Sequence, residues 1–140
     1  MIKFIMKKVI YYRSNNKLKY EGEILNNLYH GFGNYFDENN ILIYEGFFDY
    51  GKFCGEGKLF FNGNLMYEGE FKNNYFNGEG TMYYENGIIH YEGYFKDSLF
   101  NGDGVEYYTN GKIKHVGKFK NNKYINIYSS INSLLKNNKF

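Results

Sequence analysis

The sequence predicts an all-β protein, an elongated single-layer antiparallel meander of repeated β-hairpins. Three observations predict it. Tyr and Phe supply 17 and 14 of the 140 residues, while Ala, Gln, Pro and Trp are absent; Ala is the best helix former, and Tyr and Phe favour strands. Tyr-Glu-Gly recurs at Tyr20, Tyr44, Tyr67 and Tyr91, spaced 24, 23 and 24 residues apart, with a worn copy at His115-Val116-Gly117. The 17 Gly and the regularly placed Asn-Gly pairs mark tight turns in a chain too aromatic for a disordered linker.

The elements follow in order. Residues 1–8 form a basic N-terminal extension, and Val9 to Lys19 fit the second half of a unit, with Tyr11-Tyr12 in its aromatic position. Full units lie near 20–43, 44–66, 67–90 and 91–114, with a half unit near 115–128. The first strand of a unit alternates. Tyr67, Gly69 and Phe71 fall on one face and Glu68, Glu70 and Lys72 on the other, the period-2 pattern of a sheet with one wetter face. A Gly-x-Gly comes next (Gly31/Gly33, Gly55/Gly57, Gly78/Gly80, Gly102/Gly104), then a short aromatic second strand such as Gly80 to Tyr84. Asn62-Gly63, Asn86-Gly87 and Asn110-Gly111 turn the chain into the following unit. Both residues of such a pair tolerate positive φ, so tight hairpins are expected there. Strand glycines let a neighbouring ring lie across the backbone. The result is a meander of about ten strands, advancing roughly 9.6 Å per repeat. Residues 129–140 form a cap or tail, in which Ser130 N-caps a short helix carrying Ile131, Leu134 and Leu135.

The pattern Tyr-Glu-Gly-x-Phe-x-Asn-x(3)-Asn-Gly-x-Gly-x(2)-Tyr-Tyr-x-Asn-Gly, clearest in Tyr67–Gly87 and Tyr91–Gly111, resembles the MORN repeat. Phe stands where Trp is more usual at the fourth aromatic position. The Tyr-Tyr-x-Asn-Gly stretch is also similar to the variant repeat of YwqK-type proteins. The resemblance implies an elongated single-sheet array used as a scaffold or protein-interaction surface, with phosphoinositide binding as a second use. It brings no catalytic residues.

The residues themselves offer little chemistry. His30, His90 and His115 fall in different columns of the repeat, so they are expected to be scattered, with no shared ligation and no cleft joining a histidine to a carboxylate. Cys54 has no base nearby in sequence and cannot form an internal disulfide. A dinucleotide fingerprint needs Gly-x-Gly-x-x-Gly ahead of a helix, whereas here a strand follows. Asn101-Gly102-Asp103-Gly104 lacks the downstream acids of a calcium loop. No enzyme, metal site or cofactor is predicted. One cysteine, no apolar run of membrane length and a start (MIKFIMKKVIYY) without the core of a signal peptide predict a cytoplasmic protein.

Surfaces carry the functional reading. Residues 1–19 hold six basic groups and no acid, residues 20–111 hold all 15 acids against four lysines, and residues 112–140 hold seven lysines and no acid. Nucleic acid is therefore not an expected partner, because the acidic middle repels phosphate. Glu21, Glu45, Glu68 and Glu92 share one repeat position and form a row. That row is either a solvated face or a docking strip for a basic, linear partner; glycoside hydrolysis would need one close pair of carboxyls in unlike environments. Carbohydrate-stacking ladders depend on Trp, which is absent.

The main expectation is a non-catalytic scaffold or adaptor. It binds a protein partner through Tyr20, Tyr44, Phe48, Tyr67, Phe71, Tyr91 and Phe95, rings that a single layer leaves partly exposed. The alternative is a phosphoinositide or anionic-lipid adaptor, peripheral at a membrane, acting through the basic terminal residues Lys3, Lys7, Lys8, Lys118, Lys120 and Lys123. The same ends could pair into a homodimer by strand addition, or serve only to guard the sheet edges.

Overall fold

The structure, a computed structural model, describes residues 6–126 and Lys136. Eleven strands follow one another: β1 (Lys7–Tyr12), β2 (Leu18–Leu25), β3 (Leu28–Phe36), β4 (Leu42–Asp49), β5 (Lys52–Phe61), β6 (Asn64–Lys72), β7 (Tyr75–Tyr83), β8 (Ile89–Lys96), β9 (Leu99–Tyr107), β10 (Ile113–Lys120) and β11 (Lys123–Tyr124). Each pairs antiparallel with its neighbour in sequence, giving one open meander sheet that does not close into a barrel. The predicted fold class is the observed one. The sheet starts at Lys7, two residues before the half unit read from Val9, because Lys7 already pairs with Ile24. The eleventh strand is the two-residue β11. Lys3 and the helix expected around Ser130, Ile131, Leu134 and Leu135 lie outside the described residues.

A seam of glycines sets the register. Gly22 faces Gly33, and the column continues through Gly46, Gly57, Gly69, Gly80, Gly93 and Gly104 to Gly117, one residue per strand. In each full repeat the pairing shifts just past the first glycine, at Gly22/Ile24, Gly46/Phe47, Gly69/Phe71 and Gly93/Phe95. Such bulges bend a strand and sharpen its twist. The bend brings each repeat's leading Tyr over the seam. The Tyr20 hydroxyl donates to the carbonyl of Glu23 on its own strand (2.6 Å), and Tyr44, Tyr67 and Tyr91 do the same to Phe47, Glu70 and Tyr94. Only a bare backbone fits beneath: a Cβ on Gly80 would lie 2.3 Å from the Tyr67 hydroxyl oxygen.

The rings then close over one another. Tyr20, Tyr44, Tyr67 and Tyr91 stack on Tyr29, Phe53, Phe76 and Phe100, with centroids 3.8–3.9 Å apart. Phe71 stands edge-on to Tyr67 of its own repeat (5.1 Å) and to Tyr44 of the preceding one (5.2 Å); Phe48 and Phe95 repeat both contacts, and Phe119 makes the second, to Tyr91. Each ring therefore belongs to two repeats, the nearest-neighbour coupling of a solenoid.

Two kinds of turn alternate. Within repeats, two-residue turns have both residues at positive φ: Asn26-Asn27, Tyr50-Gly51, Asn73-Asn74, Asp97-Ser98 and Asn121-Asn122. Between repeats, Asn62-Gly63 is the expected tight turn with both residues at positive φ. At Asn86-Gly87 and Asn110-Gly111 only the glycine has positive φ, and three-residue loops are closed by Tyr84–Ile88 and Tyr108–Lys112 backbone bonds. The tips of the within-repeat hairpins also bond to each other. Asn74 N–H donates to the Phe53 carbonyl (3.1 Å) while its side-chain oxygen accepts from Phe53 N–H (2.8 Å). Ser98 holds Phe76, and Asn122 holds Phe100, in the same way.

Candidate interaction surfaces

The predicted aromatic contact face is closed, which corrects the expectation that a single layer leaves it open. Tyr20, Tyr44, Tyr67 and Tyr91 are 0% exposed, and Phe48, Phe71 and Phe95 are 3–4% exposed. The cause is the bend at the seam: the hairpin tips lean onto one another and fold Tyr29, Phe53, Phe76 and Phe100 over the leading tyrosines. Burial pushes the hydroxyls of Tyr20 and Tyr91 up to about 12, and those of Tyr44 and Tyr67 also up.

The opposite face is open and carries two rows of side chains flanking the seam. The pairing places Glu21, Asn34, Glu45, Lys58, Glu68, Thr81, Glu92 and Val105 in one row. The second row holds Glu23, Phe32, Phe47, Glu56, Glu70, Glu79, Tyr94 and Asp103. Shallow grooves lie between them. One is lined by Lys8, Ile10, Glu21, Glu23 and Phe32, and another by Phe32, Glu45, Phe47, Glu56, Lys58 and Glu68. Phe32 and Phe47 meet edge to face (5.6 Å) and are each 45% exposed, as is Tyr94.

Several of these acids have work within the fold. Glu23 and Glu70 accept the backbone N–H groups of Phe32 and Glu79 that the bulges release (3.1 Å each). Glu68 and Glu92 accept from the hydroxyls of Tyr83 and Tyr107. Tyr94 donates to Glu79 (2.6 Å), a bond that raises the Tyr94 hydroxyl, and Lys118 holds Asp103 (2.8 Å). Glu21, Glu45 and Glu56 have no hydrogen-bond or ion-pair partner among the described residues. The row of glutamates read from the sequence thus exists, and of the second row beside it the alternation places Glu70 on this face, while the bulges obscure how the rest line up with it.

Most lysines other than Lys58 lie toward the margins of the sheet. Lys7, Lys8, Lys118, Lys120 and Lys123 are all exposed, on the strands at the two ends of the sheet. A further line runs along the hairpin tips, where Lys52, Lys72 and Lys96 precede Lys120 and Lys123 and stand beside the exposed Leu28, Tyr50, Tyr75 and Leu99. Three of the four lysines of residues 20–111 are therefore at tips.

Histidine and carboxylate do meet, contrary to expectation. Glu106 accepts from Lys114 Nζ (2.9 Å) and from His115 Nδ1 (3.0 Å), with His90 Nε2 3.9 Å away. Burial works against the charged form of Glu106, but the hydrogen bonds from His115 and Lys114 outweigh it and hold its carboxyl below the usual range. His90, stacked on Tyr84 (4.2 Å), is shifted down by burial. The signal was present in the sequence. Glu106 stands opposite Tyr91 in a column otherwise filled by Tyr35, Leu59 and Met82. Among the described residues no group of three or more His, Cys, Asp or Glu could hold a metal ion. Burial also raises the Cys54 thiol, away from the reactive thiolate. No helix among the described residues is long and apolar enough to cross a membrane.

Comparison with curated proteins gave no significant match. The MORN repeat family model matches four consecutive stretches, residues 20–40, 44–65, 67–89 and 91–113. These coincide with the hairpins β2–β3, β4–β5, β6–β7 and β8–β9 that the glycine seam and the stacked rings define, and they span more than half of the chain. It belongs to the MORN repeat family.

Proposed function

We propose that this chain is a non-catalytic scaffold whose open face binds an extended, basic polypeptide segment. The observation that supports it is the pair of rows beside the seam, in which nine acids are set against Lys58 among them and Lys8 and Lys118 at the two ends. Three exposed rings, Phe32, Phe47 and Tyr94, give apolar anchors within that field. Complementary charge steers encounter and fixes register, and buried aromatic anchors supply most of the affinity. The repeat spacing of roughly 9.6 Å suits a partner that lies along the array and offers lysine or arginine at intervals.

The test is fluorescence anisotropy with a labelled lysine- and arginine-rich peptide, against an acidic peptide of equal length. Glu21→Lys, Glu45→Lys and Glu56→Lys together should weaken the basic peptide at least tenfold, because these acids face outward and hold nothing in the fold. Unchanged affinity in the folded triple variant would reject this reading.

A second reading is docking to an anionic bilayer, favoured by the line of hairpin tips where Lys72, Lys96, Lys120 and Lys123 accompany Tyr75 and Leu99. Each lysine near such a surface contributes about 1 kcal/mol. Co-sedimentation with phosphatidylserine and phosphoinositide vesicles, surviving physiological salt and lost when Lys72 and Lys96 become Glu, would place this reading first.

A further inference from the structure

The open face repeats itself every second hairpin. One residue past the first seam glycine of each full repeat, the side chain leans over a positive-φ glycine on the return strand of its hairpin. That place holds Glu23, Phe47, Glu70 and Tyr94 in turn, over Gly31, Gly55, Gly78 and Gly102. Acid and ring alternate, so the two rings occupy equivalent positions two repeats apart, on β4 and β8. Phe47 and Tyr94 are each half-exposed. Their surrounding acids match as well. Glu45 and Glu92 stand two residues before them on the same strand, and Glu56 and Asp103 stand within the Gly-x-Gly of the return strand. Phe47, Glu45, Glu56 and Glu68 line one groove. At the other ring, the charges of Glu79, Asp103 and Glu70 all bear on the Tyr94 phenol, whose hydroxyl donates to Glu79. Carboxylates outnumber lysines at both rings. Lys58 lies opposite Glu45 and Glu68 in the first set; in the second, Lys118 is held by Asp103, and Lys96 stands two residues beyond Tyr94.

Resting on the reading of this face as a dock for an extended basic segment, we infer that the segment is recognised through two arginines about six residues apart, one guanidinium seated on Phe47 and the other on Tyr94. A guanidinium is planar and weakly hydrated, so it lies on a ring and still reaches carboxylates at the ring's margin through paired hydrogen bonds. A lysine ammonium is a compact, strongly hydrated charge that answers the acids but gains less from the rings. The spacing follows from the strands. β4 and β8 are four strands apart, roughly 19 Å at about 4.8 Å per strand, and an extended chain covers about 3.3 Å per residue. About six residues span that distance. Six is also even, and side chains of an extended chain alternate with period 2, so both arginines point toward the sheet. Between the rings the segment crosses Glu56, Glu70 and Glu79 of the same row, whose charge excludes acidic residues from the intervening stretch.

The test is fluorescence anisotropy on the full chain, with labelled peptides that share one lysine-bearing background and differ at two positions. Arginine at both, six residues apart, should bind about tenfold tighter than lysine at both. Moving the arginines to separations of four, five, seven or eight should remove most of that advantage, the odd separations because one side chain then points away from the sheet. Phe47→Leu with Tyr94→Leu should erase the preference for arginine while the lysine peptide still binds. The spacing series uses the unmodified protein, so it decides the matter even if the double variant fails to fold. Equal affinity for the arginine and lysine peptides, or an affinity indifferent to spacing, would overturn this inference and leave the acidic dock standing. Failure of every basic peptide to bind would overturn both.

Discussion

The two faces of the same strands have opposite characters. On one face the rings of Tyr67, Phe71, Phe76 and Phe95 interlock until no more than 7% of any of these residues meets water, while on the other Glu56, Glu70, Glu79 and Tyr94 remain in solvent. Alternation alone would give two comparable surfaces. What separates them is a bend at the seam, which turns one face onto itself and leaves the other spread. A single-layer sheet can therefore build a dry core without a second layer, provided each repeat lends a ring to its neighbour.

The comparison is broken most severely from the closed side. Phe71→Ala with Phe95→Ala removes two rings that each touch two repeats, at about 3–5 kcal/mol apiece, against a total stability of about 5–15 kcal/mol for a domain. Loss of the cooperative thermal transition is expected in circular dichroism, and a double variant that melted like the parent would show that the rings are not the core.

Alkali attacks the same layer. Tyr20 and Tyr91 titrate near 12 when folded and near 10 when unfolded. The folded pKa is the higher, so the stability these groups lend is complete below about pH 10 and is lost as pH rises toward 12. Unfolding followed at pH 8, 10 and 12 should show that course, whereas uniform stability up to pH 12 would contradict the burial of the hydroxyls.

Gly80→Ala is a smaller lesion. Its Cβ meets the Tyr67 ring, and overpacking of this kind costs about 1–3 kcal/mol. The denaturation midpoint should fall, and should recover in part when Tyr67→Phe removes the hydroxyl that stands nearest. The open face sets the lower bound. The triple Glu21, Glu45 and Glu56 to Lys variant should shift stability by no more than about 0.5 kcal/mol per site, so an effect on peptide binding with an unchanged melt would separate the roles of the two faces.

Much of this was legible in the sequence, for reasons that differ by feature. The period of Tyr20, Tyr44, Tyr67 and Tyr91 set the strand order, and the alternation around Phe71 assigned its faces. Exposure was not legible. It depends on where the strand bends, and the bulges at Gly69/Phe71 and Gly93/Phe95 are tertiary choices with no composition of their own. The within-repeat turns were legible only in part: Asn26-Asn27, Asn73-Asn74 and Asn121-Asn122 are residues that tolerate positive φ, whereas Tyr50 and Ser98 in the same places do not announce it. The meeting of His90, Glu106 and His115 is not visible in the histidine columns, because the carboxylate that joins them comes from the strand between.

The seam's strict neighbour-to-neighbour order has a kinetic consequence. Among the described residues every paired strand lies next to its partner in the chain, so none of these pairings must wait for a distant segment to diffuse into place. All-β topologies fold slowly when their contacts are remote in sequence. This one has the local wiring of a helical bundle and can nucleate at whichever hairpin closes first, growing from there in both directions.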